Sequence, residues 1–145
     1  TGTADISVTI PDLIRITGMA DIALGTYSGV GDLNGNEDVC IYTNLAAGTY
    51  VVTATGDGAA NAFTITDGSN TIAYNTYFND QAGTTGEVQL TTGTQSAQQS
   101  GANTVSLTCG GGDTGNYHVE VLAANMSLVP SGAYSGTLTL VVEPN

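Results

Sequence analysis

Positive charge is almost absent from this 145-residue chain. It has one cation, Arg15, and no lysine, against thirteen aspartates and glutamates, so its formal net charge is −12 at pH 7. A surface of this sign repels nucleic-acid phosphates and anionic lipid, which argues against nucleic acid and membrane surfaces as partners. The charge is typical of the solvated coat of an extracellular protein, with a specific cationic partner as the alternative.

Long apolar runs and helical patterns are also missing. No segment approaches the roughly 18 consecutive apolar residues that a transmembrane helix needs, so membrane insertion is not expected. No window places apolar residues at helical spacing between capping residues. The chain starts at Thr1 rather than at methionine, which we interpret as a mature protein whose export signal has been removed.

The residues of common catalytic and metal sites are scarce. The one histidine, His118, alternates with Tyr117 and Val119 in a predicted strand, and no serine or cysteine nucleophile accompanies it. Asp32 to Asp38 begins like a calcium loop, but Glu37 and Thr43 stand where that loop needs glycine and glutamate. We therefore predict no enzyme and no cofactor, and interpret 32–38 as an Asp- and Asn-rich turn, with calcium binding as the alternative.

Only two cysteines are present, Cys40 and Cys109, and each ends an apolar stretch. In an exported chain the default expectation is a disulfide, which in the chain-entropy model stabilises a loop of this length by about 4 kcal/mol. Two free thiols in a cytosolic protein are the alternative. A zinc site is disfavoured because two cysteines and His118 do not complete a tetrahedral ligand set.

Short apolar stretches separated by turn residues fill the rest of the chain. Asp67-Gly68 between two such stretches predicts a hairpin, and the polar stretch 92–102 predicts an exposed loop. This pattern predicts an all-β fold, an antiparallel sandwich or barrel, with the sandwich favoured. The body strands are predicted at 13–24, 39–42, 50–55, 62–66, 71–78, 87–91, 104–109, 117–122 and 135–143.

The two ends of the chain carry the clearest strand patterns. Residues 4–10 alternate, so that Ile6, Val8 and Ile10 share one face, and Pro11 then separates this strand from the body. The final strand places four apolar side chains on one face: Tyr134, Leu138, Leu140 and Val142. The open question is whether the first strand completes its own domain or that of a neighbour.

These end segments, together with Asp21 to Gly29 and the Tyr-x-x-Tyr sequence from Tyr74 to Tyr77, resemble chaperone–usher pilus subunits. The nearest branch is the archaic type, whose domain is similar to spore coat protein U. The resemblance implies an immunoglobulin-like antiparallel β-sandwich at residues 13–145 that lacks one strand. A donor strand from a neighbouring subunit then completes the sandwich.

The same resemblance implies roles for residues 1–12. Ile6, Val8 and Ile10 would fill the groove of the next subunit, and Pro11 and Asp12 would form the joint to the body. The implied partners are identical subunits head-to-tail, a periplasmic chaperone and an outer-membrane usher. The product would be an extracellular pilus supporting adhesion or biofilm formation. The alternative is a monomeric secreted adhesin or carbohydrate-binding domain whose first strand folds back into its own sheet.

Overall fold

A computed structural model describes residues 1–145 and confirms the predicted all-β class. Its paired strands are all antiparallel and form an immunoglobulin-like β-sandwich. The only α-helix, α1 at Ala123–Met126, has four residues, and no helix is long and apolar enough to cross a membrane. The strands are β1 Ile14–Thr17, β2 Leu33–Thr43, β3 Tyr50–Gly56, β4 Thr64–Thr66, β5 Thr71–Ala73, β6 Asn75–Asn79, β7 Val88–Gln89, β8 Gly115–Val121 and β9 Leu138–Pro144.

The first layer of the sandwich is a five-stranded sheet in the order β1-β2-β8-β6-β7. Along β8, Tyr117 and Val119 are buried, whereas His118 and Glu120 face outward, as the two-residue period of a strand requires. The outward side chains of neighbouring strands pair with one another. His118 Nδ1 lies 2.9 Å from Glu87 Oε1, and its Nε2 lies 3.0 Å from Asn34 Oδ1.

The second layer is built on the pair β3 and β9. Tyr50, Val52 and Ala54 are fully buried on β3 and pack against the first layer. The ring of Tyr50 meets that of Phe78 edge to face, with centroids 6.2 Å apart, a favoured aromatic geometry. The main core therefore lies between these two layers.

The polar stretch 92–102 belongs to no strand and most of its residues are exposed, as the sequence predicts. Its main chain runs beside β3, where the Gln99 N–H donates to the Tyr50 carbonyl at 2.8 Å and the Ser96 N–H donates to the Val52 carbonyl at 2.8 Å. Gln99 and Ala102 are buried. A polar sequence can lie here because its main-chain groups satisfy those of β3, so this edge of the second layer is closed.

Several predicted strand boundaries were wrong. The stretch 104–109 is a turn, because Asn103 Oδ1 accepts hydrogen bonds from the N–H groups of Val105 and Ser106 at 2.9 and 2.7 Å, a local alternative to strand pairing. Residues 18–24 leave the strand after Gly18, whose φ is +88°. Tyr74 interrupts the stretch predicted as one strand, so β5 and β6 are separate.

Residues 32–38 form neither a turn nor a calcium loop. From Leu33 onward they belong to β2, and Asn34, Asn36 and Asp38 alternate with residues that face the other side. The Asn116 Nδ2 group donates to Asn36 Oδ1 at 2.9 Å and to Asp38 Oδ1 at 2.8 Å. These oxygens thus bind a neighbouring strand rather than wrap around a cation.

The predicted disulfide is confirmed. Cys40 in β2 is bonded to Cys109, 69 residues further along the chain. Both residues are almost completely buried. The bond ties the turn-rich segment before β8 to the centre of the first layer, where no strand pairing would otherwise hold it.

Reduction of this bond should destabilise the fold by about 4 kcal/mol, because the unfolded chain then recovers the freedom of a long loop. Urea unfolding with and without dithiothreitol measures the loss. In a variant carrying Cys40→Ala and Cys109→Ala, the reductant should have no effect. An unchanged midpoint for the reduced native chain would contradict the estimate.

Candidate functional site

One side of β9 is not hydrogen-bonded to any strand, although β1 passes near β9. β9 pairs with β3 on one side and with nothing on the other. Residues 136–138, at the beginning of β9, form one rim of a cleft of about 290 Å³, and residues 19–24 form the other rim. An extended segment between these rims would lie next to Leu138, the first residue of β9.

The floor of the cleft is apolar. It is formed by side chains of β4, β8 and the link between β5 and β6: Ile65, Tyr74, Tyr117, Val119 and Val121. A smaller apolar cluster, separate from the main core, includes Tyr74, Val119 and Val121 of this floor, and Ile65 packs against it. Ile22 and Leu24 of the rim also pack against this cluster. Such a floor suits aliphatic side chains, whose transfer from water is favourable.

The rim at residues 19–24 is held by a side chain instead of a strand. The Tyr117 hydroxyl accepts a hydrogen bond from the Ala20 N–H at 3.1 Å and donates to the Ala20 carbonyl. Burial raises the pKa of Tyr117, and the charges of Glu37 and Asp21 raise it further, whereas the bond to Ala20 lowers it. The N–H and carbonyl groups of Ala20, which a neighbouring strand could otherwise bind, are therefore both hydrogen-bonded to the Tyr117 hydroxyl.

Two glycines let the rims come close to the sheets. A Cβ on Gly35 of β2 would lie 2.3 Å from the Ile22 side chain, so only glycine lets this rim pack as it does. A Cβ on Gly136 would lie 2.7 Å from the Thr64 carbonyl oxygen of β4. The Thr137 N–H then donates to Asp57 Oδ2 at 2.9 Å, which fixes the second rim.

The N-terminal segment pairs with nothing in the single chain. Residues 1–12 belong to no strand, and Ile6, Val8 and Ile10 are 95%, 85% and 73% exposed. The predicted strand at 4–10 is thus not formed here, since an extended segment gains its hydrogen bonds only beside another strand. The segment does not line the cleft of its own chain.

The joint between this segment and the body is anchored by Asn44. Its Nδ2 group donates to the Pro11 carbonyl at 2.9 Å, and its Oδ1 accepts from the Leu13 N–H at 2.7 Å. The Thr43 hydroxyl also donates to the Leu13 carbonyl. Asp12, the other residue of the predicted joint, lies between these anchored positions. No pattern in the sequence points to Asn44, which is one of many asparagines in the chain.

The residues predicted for the final strand fall into two groups. Leu138, Leu140 and Val142 lie in β9 and pack toward the cores, and Leu138 also lines the cleft. Tyr134 precedes the strand, and its hydroxyl donates to the Pro130 carbonyl at 2.9 Å. The resemblance implied a groove, but the residues that line this cleft were not predicted, because residues 19–24, 65, 74 and 136–138 lie far apart along the chain.

No protein-family model and no curated protein matches this chain, but solved structures do. A chain of the chaperone–tip adhesin complex of CFA/I fimbriae biogenesis aligns with 91% of this chain at 20% identity and a TM-score of 0.61. A mutant of the CFA/I adhesin CfaE of enterotoxigenic E. coli aligns with 86% at 16% identity and a TM-score of 0.53. The chaperone–tip complex CsuC–CsuE of the archaic chaperone–usher Csu pili of Acinetobacter baumannii aligns with 93% at 17% identity and a TM-score of 0.51.

The fold is that of fimbrial adhesin and pilus subunits. The chain spans about two fifths of the length of these structures, 41%, 38% and 40% in turn. At this identity the likeness establishes the fold. It is consistent with the predicted resemblance to chaperone–usher subunits.

The bond between Tyr117 and Ala20 can be tested directly. Tyr117→Phe should lower the free energy of unfolding by about 1 kcal/mol, because both main-chain groups of Ala20 lose their partner. Hydrogen exchange followed by NMR should show faster exchange of the Ala20 amide. Tyr134→Phe is the control, since its hydroxyl binds a carbonyl outside the cleft. An Ala20 amide that exchanges equally fast in both variants would contradict the assignment.

Proposed function

We propose that this chain is a structural subunit of an extracellular pilus and that it polymerises by donor-strand exchange. Residues 1–12 act as donor strand and joint, and residues 13–145 form the domain that accepts the strand of the next copy. The observation that supports this most is a complementary pair in one chain. An apolar cleft lies at the start of β9, a strand that is paired on one side only, and an exposed segment presents three aliphatic side chains on one face.

The energetics favour filling the cleft. Burying Ile6, Val8 and Ile10 at about 1.5–3 kcal/mol each would contribute roughly 5–9 kcal/mol before ordering costs. Main-chain pairing with β9 would add to this, because the free edge of a strand presents unpaired donors and acceptors. Neither gain is available to the single chain in the conformation described here.

The geometry favours a filament over a closed oligomer. Donor segment and cleft are different surfaces of the same chain, so each contact between copies is heterologous and leaves one cleft and one segment unused at the two ends. Head-to-tail addition can then continue without closing. Pro11 and Asp12, held near Asn44, would set the angle between successive subunits.

The resemblance to solved structures extends the proposal to assembly partners. Two of the similar structures are complexes that contain a chaperone. A chaperone strand would protect the cleft in the periplasm, and an outer-membrane usher would exchange it for the next subunit's donor strand. The likeness to adhesins supports a pilus-related adhesive role, with adhesion or biofilm formation as the outcome at the cell surface.

A charge placed on one face of the donor segment tests the exchange. We expect the purified full-length chain to form polymers that resist SDS on unheated gels and appear as filaments by electron microscopy. Val8→Asp should abolish them, because a carboxylate would have to enter the apolar cleft without a partner. Thr9→Asp is the matched control: it adds the same charge one residue away, on the opposite face, and should leave polymerisation intact.

Equal polymerisation by the two variants would refute donation by this face. Light scattering distinguishes the second candidate function, a monomeric secreted adhesin or carbohydrate-binding domain with a self-completed sheet. That function predicts a wild-type monomer at all concentrations, with residues 4–10 protected from hydrogen exchange. A chain beginning at Leu13 keeps the cleft but lacks the segment, and it should not polymerise under the proposal.

A further inference from the structure

Two buried tyrosine hydroxyls have no hydrogen-bond partner, those of Tyr50 and Tyr74. The two residues are 0% and 7% exposed. A buried hydroxyl without a partner destabilises the state that contains it, and native structures contain few such groups. Burial also raises the pKa of Tyr74 to about 12, with a further contribution from the charge of Asp57.

The surroundings of the two residues differ. Tyr50 lies in the main core against Phe78 and does not line the cleft. Tyr74 lines the cleft, where the other phenol of the floor, Tyr117, already has both of its partners on Ala20. Tyr74 is therefore the one residue of the cleft floor whose buried polar group lacks a partner.

We propose that the Tyr74 hydroxyl donates a hydrogen bond to a main-chain carbonyl of residues 4–10 from a second copy. This inference rests on the proposed function and names the polar contact that the accepting cleft makes. Tyr74 is then a specificity-determining residue, because it favours an extended main chain over a purely apolar occupant.

The acceptor follows from the alternation of the segment. With Ile6, Val8 and Ile10 directed at the floor, the inward side chains carry no polar atom, and the hydroxyls of Ser7 and Thr9 point away. Only main-chain carbonyls remain. The Tyr74 hydroxyl has almost no accessible surface in the single chain, so the side chains that cover it must move when the strand enters the cleft.

If Tyr74 has this role, Tyr74→Phe should have opposite effects on stability in the unoccupied and the occupied cleft. A purely structural role predicts the same effect in both. In the unoccupied cleft, Tyr74→Phe removes a buried polar group that has no partner, so it should stabilise the chain. In the occupied cleft the same change removes a hydrogen bond, so it should weaken the polymer. Tyr50→Phe removes an equally buried, equally unpartnered hydroxyl away from the cleft, and its effect should be the same in both states.

The experiment compares polymers and monomers of the wild type, Tyr74→Phe and Tyr50→Phe. Polymers of Tyr74→Phe should release subunits in SDS about fivefold faster than wild-type polymers, as expected for one lost hydrogen bond. Those of Tyr50→Phe should not dissociate faster. Full-length monomers that also carry Val8→Asp keep the cleft unoccupied, and in them both phenylalanine variants should raise the urea midpoint.

Equal release rates for the two variants would overturn this inference and leave the proposed function standing. Absence of polymers in the wild type would overturn both. If monomers carrying Val8→Asp do not fold, the comparison of release rates decides alone. A Tyr74→Phe chain that is unfolded by circular dichroism while Tyr50→Phe is folded would also overturn the inference, because loss of the hydroxyl should relieve the unoccupied state.

Discussion

Every strand needs hydrogen-bonding partners for its main chain, and the second layer of this sandwich meets that need on one side only. β3 is satisfied by β9 and by residues 93–99, whereas β9 has β3 alone. Across the cleft, Ala20 depends on the Tyr117 hydroxyl. β9 therefore has one unpaired side, and under the proposed function the cleft is where the donor strand would lie.

The exposed N-terminal segment is the counterpart of that shortage. A monomeric protein rarely leaves three large aliphatic side chains exposed along one short stretch, because their contact with water is unfavourable. Ile6, Val8 and Ile10 do so here. The exposed aliphatic side chains and the unpaired side of β9 are each unfavourable in an isolated chain. In a chain present in many copies, the segment of one copy could cover the unpaired side of the next. The exposed segment and the unpaired side of β9 favour the proposed filament over a self-contained binding domain.

Local patterns determined how much the sequence could predict. Short apolar stretches between turn residues predicted the strand from Tyr50. The hairpin at Asp67 followed from turn chemistry, and the Cys40–Cys109 disulfide followed from the expected compartment. Prediction failed where side chains replace strand partners. The Asn103 side chain turns the chain where a strand was expected, and no local pattern encodes the bond from Tyr117 to Ala20.

The clamp formed by Asn44 has a mechanical consequence. Because its side chain holds the main chain on both sides of Asp12, a pull on the N-terminal segment is carried first into the end of β2. Four residues before Asn44, Cys40 is covalently linked to Cys109. In a fibre under tension, the force would reach the subunit at β2, the strand that the disulfide links to Cys109. The joint at residues 11 and 12 should therefore extend before the sandwich unfolds.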